Sequence, residues 1–421
     1  MAIALPAADA PRAAAPPSLA RLLALLLPAA MAMYGAFQGT QMVLLPLQLQ
    51  GLDAAHKVVN LAGVTMLCAV TGVLGMTWGG AATDVTFSRW GRRAPWLAGM
   101  AAASSLTLVA IGWQSRLVAI AALCGVFWFT LNFYQGALLT VLPDRVSDAK
   151  RGFASSIFAL AGPIGAVAGI NAAAYLPGWP GFCALALAIG ASAAAYLLLA
   201  PEPPALAPRP RDVRADAAGH GLIRRFLGSF RRRDFALAYA FRALMFTGQS
   251  TINNYLLYIL QDHIGWQRLP GHSPEVAAGV VSTLRTVATL AAIGIGIVVA
   301  RRTTRRKIFA QGYALAMAFA MLIPLFSPTW AGMLAFAGLG GAAMGAYSTI
   351  DLALMAHVLP DKRNAGRDLG LLAMAGAFAQ LLAPPIGGAI IRFLGYDSLF
   401  LAGAAITIAA GLAAGFMRGV R

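Results

Sequence analysis

The sequence predicts an all-α membrane protein of twelve transmembrane helices in two pseudo-symmetric six-helix bundles. Three observations predict it: a composition only lipid can solvate, twelve apolar runs of spanning length, and a motif pattern that occurs twice. Of 421 residues, 59% are hydrophobic and 11% charged, against about 25% charged in soluble domains. A larger core cannot absorb the difference, because soluble proteins still need a polar surface. In lipid every backbone amide must be bonded internally, which leaves helices or closed barrels. Barrel strands alternate apolar and polar residues; the stretches Leu117–Leu131 and Leu399–Met417 do not, so helices are expected.

A span needs roughly 20 apolar residues. Such runs lie at 22–49, 58–82, 94–113, 117–142, 153–175 and 179–200, then at 235–261, 275–300, 308–327, 330–358, 371–392 and 398–417. The expected organisation is a tail at 1–21, a bundle at 22–200, a linker at 201–233, a second bundle at 234–417 and a tail at 418–421. Residues 22–32, ending Ala30-Met31-Ala32, could pass for a signal-peptide core, but the apolar run continues to Leu49, so an uncleaved first span is expected.

Charge supplies the orientation. Of 32 Lys and Arg, only Lys57, Arg116, Arg268 and Arg392 fall in loops on one side, and Arg242 and Arg285 lie within spans; the rest flank the other side. By the positive-inside rule both termini are cytoplasmic, in a bacterial-type inner membrane. The net charge of +17 invites a nucleic-acid reading, but the basic residues sit in short interhelical loops without an aromatic-basic pattern. The linker's basic stretch Leu222–Arg233 reads as a tether on anionic lipid headgroups. Cys68, Cys124 and Cys183 fall inside spans without metal-ligand spacing and read as small packing residues. No metal and no prosthetic group is expected.

The chain repeats itself. Leu142-Pro143-Asp144-Arg145 after the fourth span is matched by Leu359-Pro360-Asp361-Lys362 after the tenth, and Pro163-Ile164-Gly165 by Pro385-Ile386-Gly387. Duplicated halves build a midplane site that opens alternately to each side.

Between the second and third spans, the segment from Gly79 to Arg93 carries two glycines, Asp84, then Arg89-Trp90-Gly91-Arg92-Arg93. It resembles the signature loop of the major facilitator superfamily. The form from Ser88 to Trp96 is most similar to the glycoside–pentoside–hexuronide and sucrose-transporter branch. The resemblance implies the major facilitator fold, alternating access, and a cytoplasmic gate of Asp84, Arg89, Arg92, Arg93, Asp144, Arg145 and Arg151. In it, Asp84 would pair with arginines and an end of the eleventh helix, latching the gate in one state. Departures are visible too. The aspartates that sodium-coupled members carry on helices 2 and 4 are missing here, as is the helix 4 arginine of sucrose transporters. The loop Arg301–Lys307 lacks the acid of its first-half counterpart.

Polar residues inside spans are functional candidates by default. Here they form stripes: Tyr34, Gln38 and Gln41 on the first span; Trp128, Asn132 and Gln135 on the fourth; Arg242, Gln249, Asn253, Asn254 and Tyr258 on the seventh; Tyr347 and Asp351 on the tenth. In the family, these four helices line the central cavity. Interhelical hydrogen bonding, worth about 0.6 kcal/mol per bond, explains any one stripe but not four on equivalent helices. Asp351 is the lone carboxylate well inside a span. At 1.5 Å per residue it lies about 13 Å from the cytoplasmic end, and Arg242 about 12 Å. A pair is expected, because an unpaired buried charge is costly. Asp351 is the candidate proton carrier. Arg285, about 22 Å deep, has no evident carboxylate partner.

These residues point to a secondary transporter of a small polar organic solute, a sugar or glycoside first, by proton-coupled symport, acting as a monomer. An organic anion held by Arg242 and Arg285 is the alternative. Drug efflux and a non-transporting receptor rank lower. An intramembrane enzyme is not expected, since the spans hold no acid pair, and His357, at a span end, is the one histidine outside loops.

Overall fold

The computed structural model describes residues 18–205, 230–300, 306–358 and 365–417. The helices are α1 (Leu19–Leu52), α2 (Lys57–Val85), α3 (Ala94–Gly112), α4 (Leu117–Arg145), α5 (Asp148–Tyr175) and α6 (Trp179–Leu199) in the first half. In the second are α7 (Arg233–Asn253), α8 (Pro274–Ala300), α9 (Arg306–Phe326) and α10 (Trp330–Val358). A last run, Ala365–Gly415, breaks at Gly395 into α11 (365–394) and α12 (396–415). Among the described residues nine helical runs are long and apolar enough to cross a membrane, Met374–Gly415 holding two of the spans. The more polar α7 and the apolar α10 complete twelve. The linker residues 206–229, the Arg301–Arg305 cluster, the second copy of the Leu-Pro-Asp motif at 359–362, and residues 1–17 and 418–421 of the tails lie outside the described residues.

The termini of these helices follow local chemistry. Ser18 caps α1 by accepting from the amide of Arg21 (3.3 Å). Proline stands in the first turns of α3 and α6, where its missing N–H costs nothing. Gly395 turns between α11 and α12 at φ +82°, a conformation that other residues adopt only with strain.

Packing repeats between the halves. A Cβ on Gly169 of α5 would collide with the backbone of Gly35 on α1, and one on Gly165 with Met31. On the equivalent pair, Gly387 of α11 meets Thr251 of α7 and Tyr255 in the turn just beyond it. Likewise Gly75 and Gly79 of α2 lie against the backbone of α4, and Gly341 and Gly345 of α10 against Arg285 and Thr289 of α8. Small residues drive helix association in lipid because they let backbones approach. The two copies of Pro-Ile-Gly read in the sequence thus do the same work, closing α5 on α1 and α11 on α7.

One expectation is corrected. The run 235–261 is not one continuous helix: α7 stops at Asn253, turns at Asn254 and Tyr255, and resumes as Leu256–Tyr258 and the wide π-type turn Ile259–Gly265. α1 also carries a π-type segment, Thr40–Leu44, in its second half. Such irregular turns cluster at functional sites.

Candidate functional site

The C-terminal bundle holds the charged centre. An Arg242 guanidinium nitrogen on α7 donates to one carboxylate oxygen of Asp351 on α10, and the Tyr347 hydroxyl donates to the other at 2.5 Å. Tyr347 lies one turn before Asp351, so α10 itself presents both groups on one face. Both charged side chains are partly shielded, at 16% and 15% exposure. Tyr347 is fully buried, edge-on to Phe241 (5.6 Å), and the Arg242 guanidinium lies 5.3 Å from the centre of the Phe246 ring.

Arg285 of α8 has a different partner. It donates to the amide oxygen of Asn253, the last residue of α7 before the break. Its own backbone is clamped: Gly341 packs against it, and the Thr289 hydroxyl bonds both the Arg285 carbonyl (2.8 Å) and that of Gly341 (3.0 Å).

In the N-terminal bundle, Gln135 donates to the Tyr34 hydroxyl (3.2 Å), and Asn132 returns its amide to the Trp128 carbonyl (2.8 Å). Gln38 and Gln249 are half-buried and make no hydrogen bond within the described residues. Gln41, Thr65, Cys68, Ala69, Trp128 and Gln380 line a cleft between the bundles. Thr65 and Gln380, on α2 and α11, were not singled out in the sequence, because neither belongs to a polar stripe.

Among the described residues, four interbundle pairs draw the halves together. Gln41 donates to Asn254 (2.8 Å), Tyr258 to the Pro46 carbonyl (2.9 Å) and Asn171 to Thr283 (3.0 Å). Lys57 pairs with Asp262 (2.8 Å), which also accepts from Tyr396 (2.7 Å). All four lie toward the face opposite the basic one. Tyr258 is fully buried beneath Lys57, 4.8 Å from its ring centre, and so belongs to this seal rather than to the open cavity. At the same face Gly388 of α11 packs against Ala62 of α2; nearer the basic face, a Cβ on Gly80 or Gly376 would meet nothing within 4 Å.

At the basic face, the acid that meets the arginines is not Asp84. Among the described residues the Asp84 carboxylate is exposed and without an ion pair, although Arg92 reaches its backbone carbonyl (3.4 Å). Arg93, 3% exposed, pairs instead with Asp144 (2.5 Å). Glu202, beyond α6, accepts from the amides of Arg93 (2.8 Å) and Ala94 (3.2 Å). It thereby caps the N-terminus of α3, where a carboxylate meets a favourable dipole. Arg145 bonds the carbonyls of Ala200 and Pro201 (2.8 Å each), and Arg151 pairs with Asp148 (2.7 Å). Arg89 lies over the Trp90 ring at 5.4 Å. These contacts tie α3, α4 and α6 within one bundle. Glu202 was legible as one of two glutamates in the chain, but only the fold shows what it caps.

Two six-helix bundles, sealed together at one face around buried polar groups, define a solute carrier. The Major Facilitator Superfamily model matches residues 26–301 and 272–421, and the chain belongs to that family. It is a multi-pass membrane transporter, not an enzyme. No functionally curated sequence matches it. Similar solved structures include the nucleoside transporter NupG (TM-score 0.74, 13% identity, 94% of this chain and 99% of that one). Another is a POT family transporter in complex with 5-aminolevulinic acid (TM-score 0.71, 13% identity, 94% and 95%). A third is a bacterial homolog of the human lysosomal transporter Spinster, inward-facing and unoccupied (TM-score 0.68, 12% identity, 96% and 96%). At these identities they share the fold.

Proposed function

We propose that the protein is a proton-coupled symporter of a small polar organic solute, working by alternating access in a bacterial-type inner membrane. The observation that carries the reading is the Arg242–Asp351–Tyr347 cluster, a titratable acid held between a removable cation and a hydroxyl inside the second bundle. Protonation of Asp351 would release Arg242, and re-forming the pair would expel the proton. Differential stabilisation of the two forms by the two conformations is what couples proton to solute.

With both termini cytoplasmic, as the loop charges indicate, the sealed face is the outer one, and the conformation is inward-facing. The same orientation puts Asp84 on the open side, which accounts for its lack of a latch partner. The amides of Gln38, Gln249 and Gln380 suit a hydroxyl-bearing solute, and the resemblance of the Ser88–Trp96 segment to the glycoside and sucrose branch supports a sugar or glycoside. Uptake of labelled sugars and sugar acids into proteoliposomes, with and without an inward proton gradient, tests the proposal. Accumulation that follows the gradient supports it; uptake indifferent to the gradient contradicts it.

A further inference from the structure

The two arginines of the second bundle are partnered in opposite ways. Arg242 meets a carboxylate, so its charge is cancelled within the protein. Arg285 meets the neutral amide oxygen of Asn253, and among the described residues it has no other side-chain partner. An amide oxygen orients a guanidinium without neutralising it. One atom's difference, an aspartate at position 253, would have made an ion pair. The charge is held in place as well, because the backbone of Arg285 is pinned against α10 by Gly341 and Thr289. A fixed, half-buried cation at mid-membrane depth is expensive unless something supplies the missing negative charge.

We infer that the site selects a monoanionic solute, a small polar molecule with one carboxylate for Arg285, and that Asn253 sets this selectivity by leaving the arginine's charge uncompensated. Guanidinium and carboxylate match in planar, bidentate geometry. The uncharged remainder of the solute would face the amides of Gln38, Gln249 and Gln380, none of whose side chains makes a hydrogen bond within the described residues. Asn253 is a positioning residue here: it acts through Arg285. Its neighbour Asn254 bonds Gln41 across the bundles, so an anion drawing Arg285 off Asn253 acts one residue from the seal. The inference rests on the transporter reading but not on proton coupling.

The test is thermal stabilisation and binding of the purified full-length protein, using gluconate against sorbitol and lactate against propanediol. The expected result is stabilisation by the carboxylates and not by their neutral counterparts. Arg285→Gln and Asn253→Asp should each weaken carboxylate binding by about tenfold or more, the range of a charge-assisted hydrogen bond. Asn253→Ala, which removes the side chain but adds no charge, should keep affinity within a few-fold. That order separates charge from structure, since a merely structural role would make alanine the worse substitution. Equal binding of neutral and charged probes, no stabilisation by any carboxylate, or undiminished binding in Asn253→Asp would each overturn it. Gradient-independent uptake would sink the coupling proposal and leave this selectivity intact.

Discussion

Asp351 on α10 accepts from two donors at once, the Arg242 guanidinium across the bundle and the Tyr347 hydroxyl one turn earlier at 2.5 Å. The two helices run in opposite senses, yet bring these groups to one depth. That meeting fixes the energetics of any change here.

Removing the cation alone should be harmful. Arg242→Gln leaves a shielded carboxylate without its charge partner, which costs about 3 kcal/mol or more. Arg242→Gln combined with Asp351→Asn removes both charges and should regain most of the loss. Thermal unfolding in detergent reads both. A double variant less stable than Arg242→Gln alone would mean that the pair is not the unit that matters.

The seal opposite the basic face rests in part on Lys57 and Asp262, on different bundles. Lys57 is 13% and Asp262 32% exposed, so the pair contributes about 1 kcal/mol or less. Asp262→Ala should therefore shift the balance toward conformations open at that face by up to about fivefold. Interbundle spin-label distances measured across that face would show a larger long-distance population. An unchanged distribution would place the seal's strength in the Gln41–Asn254 and Tyr258–Pro46 bonds instead.

Glu202 caps α3 and lies beside Arg93. Glu202→Ala should lower stability by about 1 to 2 kcal/mol. Gly91 adopts φ +96°, and a Cβ there would run into Glu202. Gly91→Ala should therefore be at least as damaging, although alanine is otherwise the mildest replacement. If Gly91→Ala were neutral in a melting experiment, the cap would not be rigid.

The approach of α1 to α5 allows no side chain. Gly169→Leu places a branched group where the Gly35 backbone lies. Overpacking of this kind costs about 1 to 3 kcal/mol, and here it also pries apart two helices of the first bundle. Lower yield of folded protein and lost transport are expected, whereas the same change at Gly99 of α3, which faces open space, should be tolerated.

Most of the fold was legible because lipid imposes one rule on every span. Twelve apolar runs and the loop charges follow from backbone satisfaction and insertion, and both act locally. The pairing of Arg242 with Asp351 was legible because two scarce charges shared a computed depth. What escaped is what depends on the third dimension. The α7 break at Asn254 has no proline or glycine to announce it. Lys57 looked like an ordinary loop charge until the bundles met. The signature loop drew attention to Asp84, yet it is Asp144 and Glu202 that hold Arg93 here, while the Asp84 carboxylate is exposed.

The most direct test of the account is proton movement itself. Proteoliposomes loaded with a pH-sensitive dye, and given gluconate from outside, should acidify inside as solute enters the wild type. Asp351→Asn should abolish that acidification and uphill accumulation while retaining exchange of labelled for unlabelled solute. Solute-driven acidification undiminished in Asp351→Asn would contradict the claim that this carboxylate carries the proton.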